Sequence, residues 1–305
     1  MKRESFGSRL GFILVSAGCA IGIGNVWKFP YICGAYGGAA FILIYLCFLV
    51  ILGIPVLVAE FAVGRGSHTS VAKCFDKLAP AGSCWKPLKF IGIIGCYMLM
   101  MFYTTVGGWM IYYCVKSLRG DFVGATPEAV TQSFSDMLGN APTMMLWMVI
   151  ICLIGFAVCF MGLQNGIEKI SKVMMSALLI IMVILAVHSV MMEGAGEGIR
   201  FYLVPDFQKI KEAGVGNVVF AALSQSFFTL SIGIGAMLIF GSYLDKSRSL
   251  TGEAVSITVL DTFVALTAGF IIIPACFSYG IQPDAGPSLI SVSYTHLRAH
   301  ETPEH

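Results

Sequence analysis

Long apolar runs alternate with polar or glycine-rich segments along most of the chain. A helix that crosses a bilayer needs about 20 apolar residues, and seven runs approach or exceed that length. In chain order the runs cover residues 10–29, 39–63, 90–115, 144–161, 173–192, 218–243 and 255–279. The first run has no small-residue cleavage site, which indicates a helix and not a signal peptide. The pattern predicts an all-α polytopic membrane protein.

Glycines interrupt two of these runs at membrane depth. The first contains AGCAIGIGNVWKFP and the sixth contains SQSFFTLSIGIGAMLIFGSY. Irregular backbone inside a bilayer is tolerated only where it lines a cavity or is buried in protein. Its carbonyls then become ligands for a cation, and the start of the next half-helix becomes a site for an anion. Because the broken helices are the first and the sixth, the repeat unit is predicted to be five helices, with the second copy inverted.

The distribution of Lys and Arg predicts a cytoplasmic N-terminus, since cytoplasmic segments carry the excess of positive charge. Twelve fall on the side of the N-terminus and five on the other side. The twelve are Lys2, Arg3, Arg9, Arg65, Lys73, Lys77, Lys86, Lys89, Lys169, Lys172, Lys246 and Arg248, and the five are Lys116, Arg119, Arg200, Lys209 and Lys211. These residues are spread over several loops without an aromatic-basic stripe, so no nucleic-acid partner is predicted.

Two acidic side chains lie within predicted spans, where an ionised group costs roughly 2.5–3.5 kcal/mol at the helix centre. Glu60 is near the inner end of the second span and is expected to accept hydrogen bonds from unwound backbone. Asp261 lies well within the seventh span, with no Lys or Arg close to it in that helix. A bound cation is the natural partner for Asp261. Titration of Asp261 in a proton-coupled carrier is the alternative.

Residues 291–305 read SVSYTHLRAHETPEH and contain three of the five His. Nothing before this polar segment prepares for the change in composition. It resembles translated sequencing-adapter sequence, so the transporter domain is expected to be residues 1–290. A genuine polar tail is the alternative.

Three segments carry a resemblance to a known family. RLGFILVSAGCAIGIGNVWKFPY, GGAAFILIYLCFLVILGIPVLVAEFAVGR and FFTLSIGIGAM resemble the neurotransmitter:sodium symporter family, in its bacterial amino-acid-transporting branch. The resemblance covers residues 1 to about 290 and implies the leucine-transporter fold, with helices 1 and 6 unwound. The first five-helix repeat would be complete and the second cut after its second helix. Family members run on through further helices, so the sequence is expected to be a truncated record.

The resemblance also implies binding roles for individual residues. The first sodium site corresponds to Ala20, Asn25, Thr229 and Asp261, and the second to the carbonyls of Gly18 and Ile21 with groups on an eighth helix. The amino-acid substrate would contact Cys19, Ala20, Gly22, Ile23, Gly24, Tyr103, Phe228, Thr229, Ser231 and Ile234. The outer gate corresponds to Lys28, Tyr103 and Phe228, and the supporting residues are Tyr45, Glu60 and Gln225. Tyr45, Gln225 and Thr229 match the region where animal members hold chloride.

The function expected from this resemblance is sodium-coupled import of a neutral, hydrophobic or aromatic amino acid across the plasma membrane. Chloride is not expected to be required, because Asp261 would supply a fixed negative charge. No protein partner is implied beyond the lipid bilayer. An enzyme is not predicted, since HExxH is absent and Glu60 and Asp261 are the only intramembrane carboxylates that qualify. A membrane protein that binds ligand without transport is the remaining alternative.

Overall fold

The computed structural model describes residues 6–122 and 127–280, and within these residues the protein is built from helices joined by turns. The adapter-like segment 291–305 lies outside the described residues. The first half consists of α1 Arg9–Ala20, α2 Phe29–Ala35, α3 Ala39–Phe48, α4 Ile54–Ser67, α5 Val71–Leu78, α6 Leu88–Arg119, α7 Pro127–Gly139 and α8 Ala141–Phe160. The second consists of α9 Lys169–Val190, α10 Ala195–Leu203, α11 Phe207–Ala213, α12 Val215–Thr229, α13 Ala236–Gly241 and α14 Leu250–Ser278.

Five described segments are long and apolar enough to cross a membrane without interruption. They are Ala39–Ser67, Leu88–Arg119, Ala141–Phe160, Leu163–Val190 and Leu250–Ser278. The first predicted span is a pair of helices, Arg9–Ala20 and Gly24–Ala35, bent by 56° at the break. The sixth is divided into α12 and α13. The all-α fold with unwound first and sixth spans is therefore confirmed.

The break in the first span is short. Ile21 leaves the helical region with φ −71° and ψ 112°, and a π-helical turn, Gly24–Lys28, restarts the helix. The helix then continues past the predicted end at residue 29, through Pro30 to Ala35. Pro30 is the seventh residue counted from the restart at Gly24 and donates no backbone hydrogen bond to the π-helical turn before it. The apolar run thus placed the break correctly but underestimated the helix that follows it.

The break in the sixth span is longer and depends on left-handed backbone. Gly233 and Gly235 have φ values of 91° and 79°, a region that glycine adopts without steric cost. Ser231 adopts φ 51°, which is uncommon for a residue with a side chain. A Cβ built on Gly233 would meet nothing within 4 Å, so this position requires glycine for its conformation and not for space.

Helix α14 lies at the centre of the described bundle and packs against α1, α2, α4, α9 and α10. Ile271, Ile272 and Ile273 on α14 are fully buried, which is unusual for three consecutive residues and shows that neighbours surround the helix. Asp261 is carried on the same helix and is also fully buried. The core of the protein and its buried carboxylate thus share one element.

Candidate functional site

The centre of the site is a buried carboxylate bonded to residues from two other elements. Asp261 Oδ1 accepts a hydrogen bond of 2.8 Å from Asn25 Nδ2, and Asp261 Oδ2 accepts one of 2.8 Å from Thr229 Oγ1. Asn25 Nδ2 also lies 3.0 Å from Thr229 Oγ1. Asn25 belongs to the π-helical turn after the first break, and Thr229 is the last residue of α12. Three of the four residues expected at the first sodium site therefore touch one another.

The groups that hydrogen-bond to Asp261 are uncharged. No ion pair among the described residues includes Asp261, whose two oxygens are bonded to neutral donors. Carboxylate, hydroxyl and amide oxygens are the ligands that hard cations prefer. Ala20, the fourth expected residue, is buried at the C-terminal end of α1. The carboxylate of Asp261 and the hydroxyl of Thr229 lie together without a cationic partner in the described part of the chain. Asn25 directs its Nδ2 to Asp261, and its Oδ1 accepts from the Gly22 N–H at 3.2 Å.

The residues expected to hold the second sodium lie at the end of α1. Gly18 faces α9, because a Cβ built on it would lie 3.3 Å from Met175 Sδ. Ile21 is the residue at which α1 ends, and its N–H donates to the Ala17 carbonyl at 2.6 Å. The described residues thus place these two positions at the first break.

The two breaks face each other directly. Ser231 Oγ donates a hydrogen bond of 3.1 Å to the Cys19 carbonyl, which links the sixth span to the first. Tyr103 of α6 lies against Gly22, since a Cβ built there would be 3.7 Å from Tyr103 Cε1. Cys19 is exposed, and Gly22, Ile23 and Ile234 are partly exposed, so these expected substrate contacts form an accessible surface at the breaks.

The side chains of Phe228 and Lys28 are in contact beside Gly24. The Lys28 ammonium lies 3.9 Å from the centroid of the Phe228 ring, which is a cation–π contact. A Cβ built on Gly24 would lie 2.7 Å from Phe228 Cε1, so glycine is required here for the ring to fit. Two of the three residues expected at the outer gate are therefore in contact, while Tyr103 lies against Gly22 in the first break.

The expected supporting residues lie behind the breaks. Glu60 Oε1 accepts a hydrogen bond of 2.6 Å from the Gly233 N–H, and Oε2 accepts one of 3.2 Å from the Leu238 N–H. Gln225 Nε2 donates to the Gly24 carbonyl at 3.0 Å. The Tyr45 hydroxyl is buried, and no hydrogen-bond partner for it occurs among the described residues. Glu60 thus holds the unwound backbone of the sixth span and Gln225 that of the first.

Sequence reasoning did not find the part of α6 that touches the unwound sixth span. Cys96 Sγ donates a hydrogen bond of 3.3 Å to the Ile234 carbonyl. Gly92 and Gly95 lie beside it, each with Ile234 atoms 3.2 Å from a built Cβ. Small residues spaced i, i+3 and i+4 form one face of a helix and permit close approach, and that spacing is the signal that could have found them.

The family model for the sodium:neurotransmitter symporters matches residues 3–133 and 128–280. The chain belongs to the sodium:neurotransmitter symporter family. A solved member with bound ligand, MhsT in complex with L-phenylalanine, is 37% identical and superposes with a TM-score of 0.90 over 98% of this chain. The symporter fold implied by the family resemblance is thus confirmed by a solved structure.

Bacterial and animal members of the symporter family resemble the chain to different degrees. The uncharacterized sodium-dependent transporter YhdH of Bacillus subtilis is 37% identical over 95% of this chain, and one from Haemophilus influenzae is 33% identical over 98%. The sodium- and chloride-dependent taurine transporter of Rattus norvegicus is 26% identical over 89%. The chain spans 63% and 66% of the two bacterial relatives, 49% of the taurine transporter and 67% of MhsT.

Proposed function

We propose that this chain carries the substrate and sodium sites of a sodium-coupled amino-acid symporter of the cell membrane. The observation that carries the proposal is the contact of Asp261 with Asn25 and Thr229 at the point where the two broken spans meet. In this proposal Ala20 joins these three residues at the first sodium. Gly18 and Ile21 contribute carbonyls to the second.

The substrate is proposed to be a neutral amino acid with a hydrophobic or aromatic side chain. Support comes from the apolar side of the site, where Ile23 and Ile234 are partly exposed, and from the phenylalanine bound by the related MhsT. The substrate carboxylate would lie near the first sodium, and Tyr103, which lies beside Gly22, would donate a hydrogen bond to it. Phe228 and Lys28 would close the site on the outer side.

Sodium entry would supply the energy for uptake by alternating access. Each charge that crosses 100 mV releases about 2.3 kcal/mol, and about 1.4 kcal/mol corresponds to a tenfold concentration ratio. Two sodium ions would therefore support steep accumulation of the amino acid. The coupling requires that the sodium site and the substrate site share residues, and Thr229 is proposed to serve both.

Chloride is proposed to be unnecessary because Asp261 provides the balancing negative charge. A sodium ion and a zwitterionic substrate bring a net positive charge into a site of low dielectric constant, where an unbalanced charge is costly. A carboxylate on a buried helix offsets that charge without a mobile anion. Asp261→Asn should therefore lose sodium-driven uptake in gluconate buffer and recover part of it when chloride is added.

The test is uptake of radiolabelled phenylalanine into proteoliposomes, using protein expressed from the complete reading frame of the source DNA. Uptake should require an inward sodium gradient and should be the same in chloride and in gluconate. Loss of uptake in gluconate would contradict the fixed-charge role of Asp261. The absence of sodium-dependent uptake for every amino acid tried would contradict the function itself.

Proton coupling is the second candidate, and the burial of Asp261 without a cationic partner among the described residues supports it. Asp261 would then release a proton during the cycle instead of holding sodium. An inward proton gradient without sodium should drive uptake in this case. Uptake that follows only the sodium gradient would exclude it.

A further inference from the structure

Three residues on one face of α6, Gly92, Gly95 and Cys96, each lie close to Ile234 of the unwound sixth span. A Cβ built on Gly95 would lie 3.2 Å from Ile234 Cγ2, and one built on Gly92 would lie 3.2 Å from the Ile234 carbonyl oxygen. Cys96 Sγ donates to the same carbonyl at 3.3 Å. Main chain and side chain of Ile234 are therefore both positioned by α6.

Ile234 has little support of its own from regular secondary structure. It lies between Gly233 and Gly235, both with left-handed backbone, in the segment that separates α12 from α13. A residue in such a segment is held by its contacts and not by a helical hydrogen-bond ladder. The side chain of Ile234 is in contact with Gly95 on one side and remains partly exposed.

We propose that Gly95 is a positioning residue that sets the size of amino acid the site accepts, acting through Ile234. This inference rests on the proposed function, since it concerns the selectivity of the same site. Because residue 95 has no side chain, Ile234 packs directly against α6, and the volume on the other side of Ile234 stays free for the substrate. A methyl group at residue 95 would displace Ile234 by a few tenths of an ångström, because the Cγ2 of Ile234 would otherwise be too close to the new methyl carbon.

The effect should depend on substrate size. A change of one methylene in an apolar pocket alters discrimination by roughly tenfold or more, and a displacement smaller than a methylene should alter it less. Gly95→Ala is expected to weaken binding of tryptophan and phenylalanine by roughly three- to tenfold relative to alanine. Binding of the small substrate should change little.

The experiment measures sodium-dependent binding of alanine, leucine, phenylalanine and tryptophan to purified protein from the complete reading frame, by ligand-induced thermal stabilisation. Gly95→Ala, Ile234→Ala and the double variant are compared with the unmodified protein. The decisive result is the double variant. Ile234→Ala removes the Cγ2 that would transmit the change and leaves a Cβ at an ordinary contact distance of 3.9 Å, so Gly95→Ala should then leave the ratio of aromatic to small-substrate affinity unaltered.

Gly107→Ala is the matched control. It lies on the same helix, and its Cβ would be 3.3 Å from Ile151 Cγ1 of α8, so it is similarly crowded but packs against a helix that carries none of the expected substrate contacts. The ratio of aromatic to small-substrate affinity in Gly107→Ala should equal that of the unmodified protein. An unchanged ratio in Gly95→Ala, or the same shift in the Ile234→Ala background, would overturn the role of Gly95 while leaving the proposed function intact.

The role of Gly95 can still be tested if Gly95→Ala misfolds. If Gly95→Ala fails to fold, the double variant with Ile234→Ala should fold, because the new methyl group then has space, and it should bind with the ratio of Ile234→Ala alone. A double variant that also fails to fold would overturn the proposal. Unmodified protein that binds no amino acid in sodium would overturn both this inference and the proposed function.

Discussion

Replacing Glu60 by glutamine should loosen the unwound segment that separates α12 from α13. The two oxygens of Glu60 accept hydrogen bonds from the N–H groups of Gly233 and Leu238, at 2.6 and 3.2 Å. A carboxylate suits this position because both of its oxygens accept. Glutamine has one acceptor oxygen and one donor nitrogen, so one of the two N–H groups would face another donor.

The size of the effect follows from the hydrogen bond that is lost. A hydrogen bond to a charged group contributes about 1.5–3 kcal/mol. Gly233 lies in irregular backbone and Leu238 in the first turn of α13, where an N–H has no partner within the helix, so neither N–H has a helical alternative. We expect Glu60→Gln to destabilise the segment by about 2–3 kcal/mol, which corresponds to a loss of substrate affinity of roughly 30- to 150-fold. Substrate affinity should fall because Ser231 and Ile234, two of the expected substrate contacts, lie in the same segment.

The assay is phenylalanine binding in saturating sodium, with the melting temperature of the detergent-solubilised protein measured on the same sample. Both affinity and melting temperature should fall in Glu60→Gln. Glu197→Gln is the control, since Glu197 is exposed in the first turn of α10: its neutralisation should leave the affinity unchanged and lower the melting temperature only by the small contribution of a charge at a helix N-terminus. Unaltered affinity and melting temperature in Glu60→Gln would refute the reasoning that the carboxylate holds the segment.

Two further predictions concern glycines. Gly24→Ala should abolish most substrate binding, because its Cβ would lie 2.7 Å from the Phe228 ring. Gly233→Ala should weaken binding less, since the space around Gly233 is open and the substitution adds only about 1–2 kcal/mol of backbone strain. Equal substrate affinities of the two variants in the same binding assay would contradict this distinction. Gly11→Ala should destabilise the protein by about 1–3 kcal/mol, because a methyl group there would displace the Glu168 carboxylate from its bonds to the Gly7 N–H, Ser8 Oγ and Lys172 Nζ. An unchanged melting temperature would contradict this and show that the Glu168 side chain moves aside without a net loss.

The spans and their breaks could be predicted because both depend on local properties of the chain. Apolar length determines which segments cross a bilayer, and glycine adopts left-handed backbone more easily than other residues, so the paired glycines Gly233 and Gly235 indicated where the sixth span is interrupted. Helices α5, α7, α10 and α11 were not predicted, because helices of 7–13 residues are too short to appear as membrane-length apolar runs.

The sequence by itself therefore determined the membrane helices, the two interruptions and the presence of a carboxylate in the seventh span. Only the tertiary structure decided which groups meet. Asn25 and Asp261 are 236 residues apart and Ser231 and Cys19 are 212 apart, yet each pair is joined by a hydrogen bond. The apolar periodicity of a helix shows which face is buried but not which neighbour covers it. The packing of α14 among α1, α2 and α4 supplies that neighbour, and it brings Asp261 to the break in the first span.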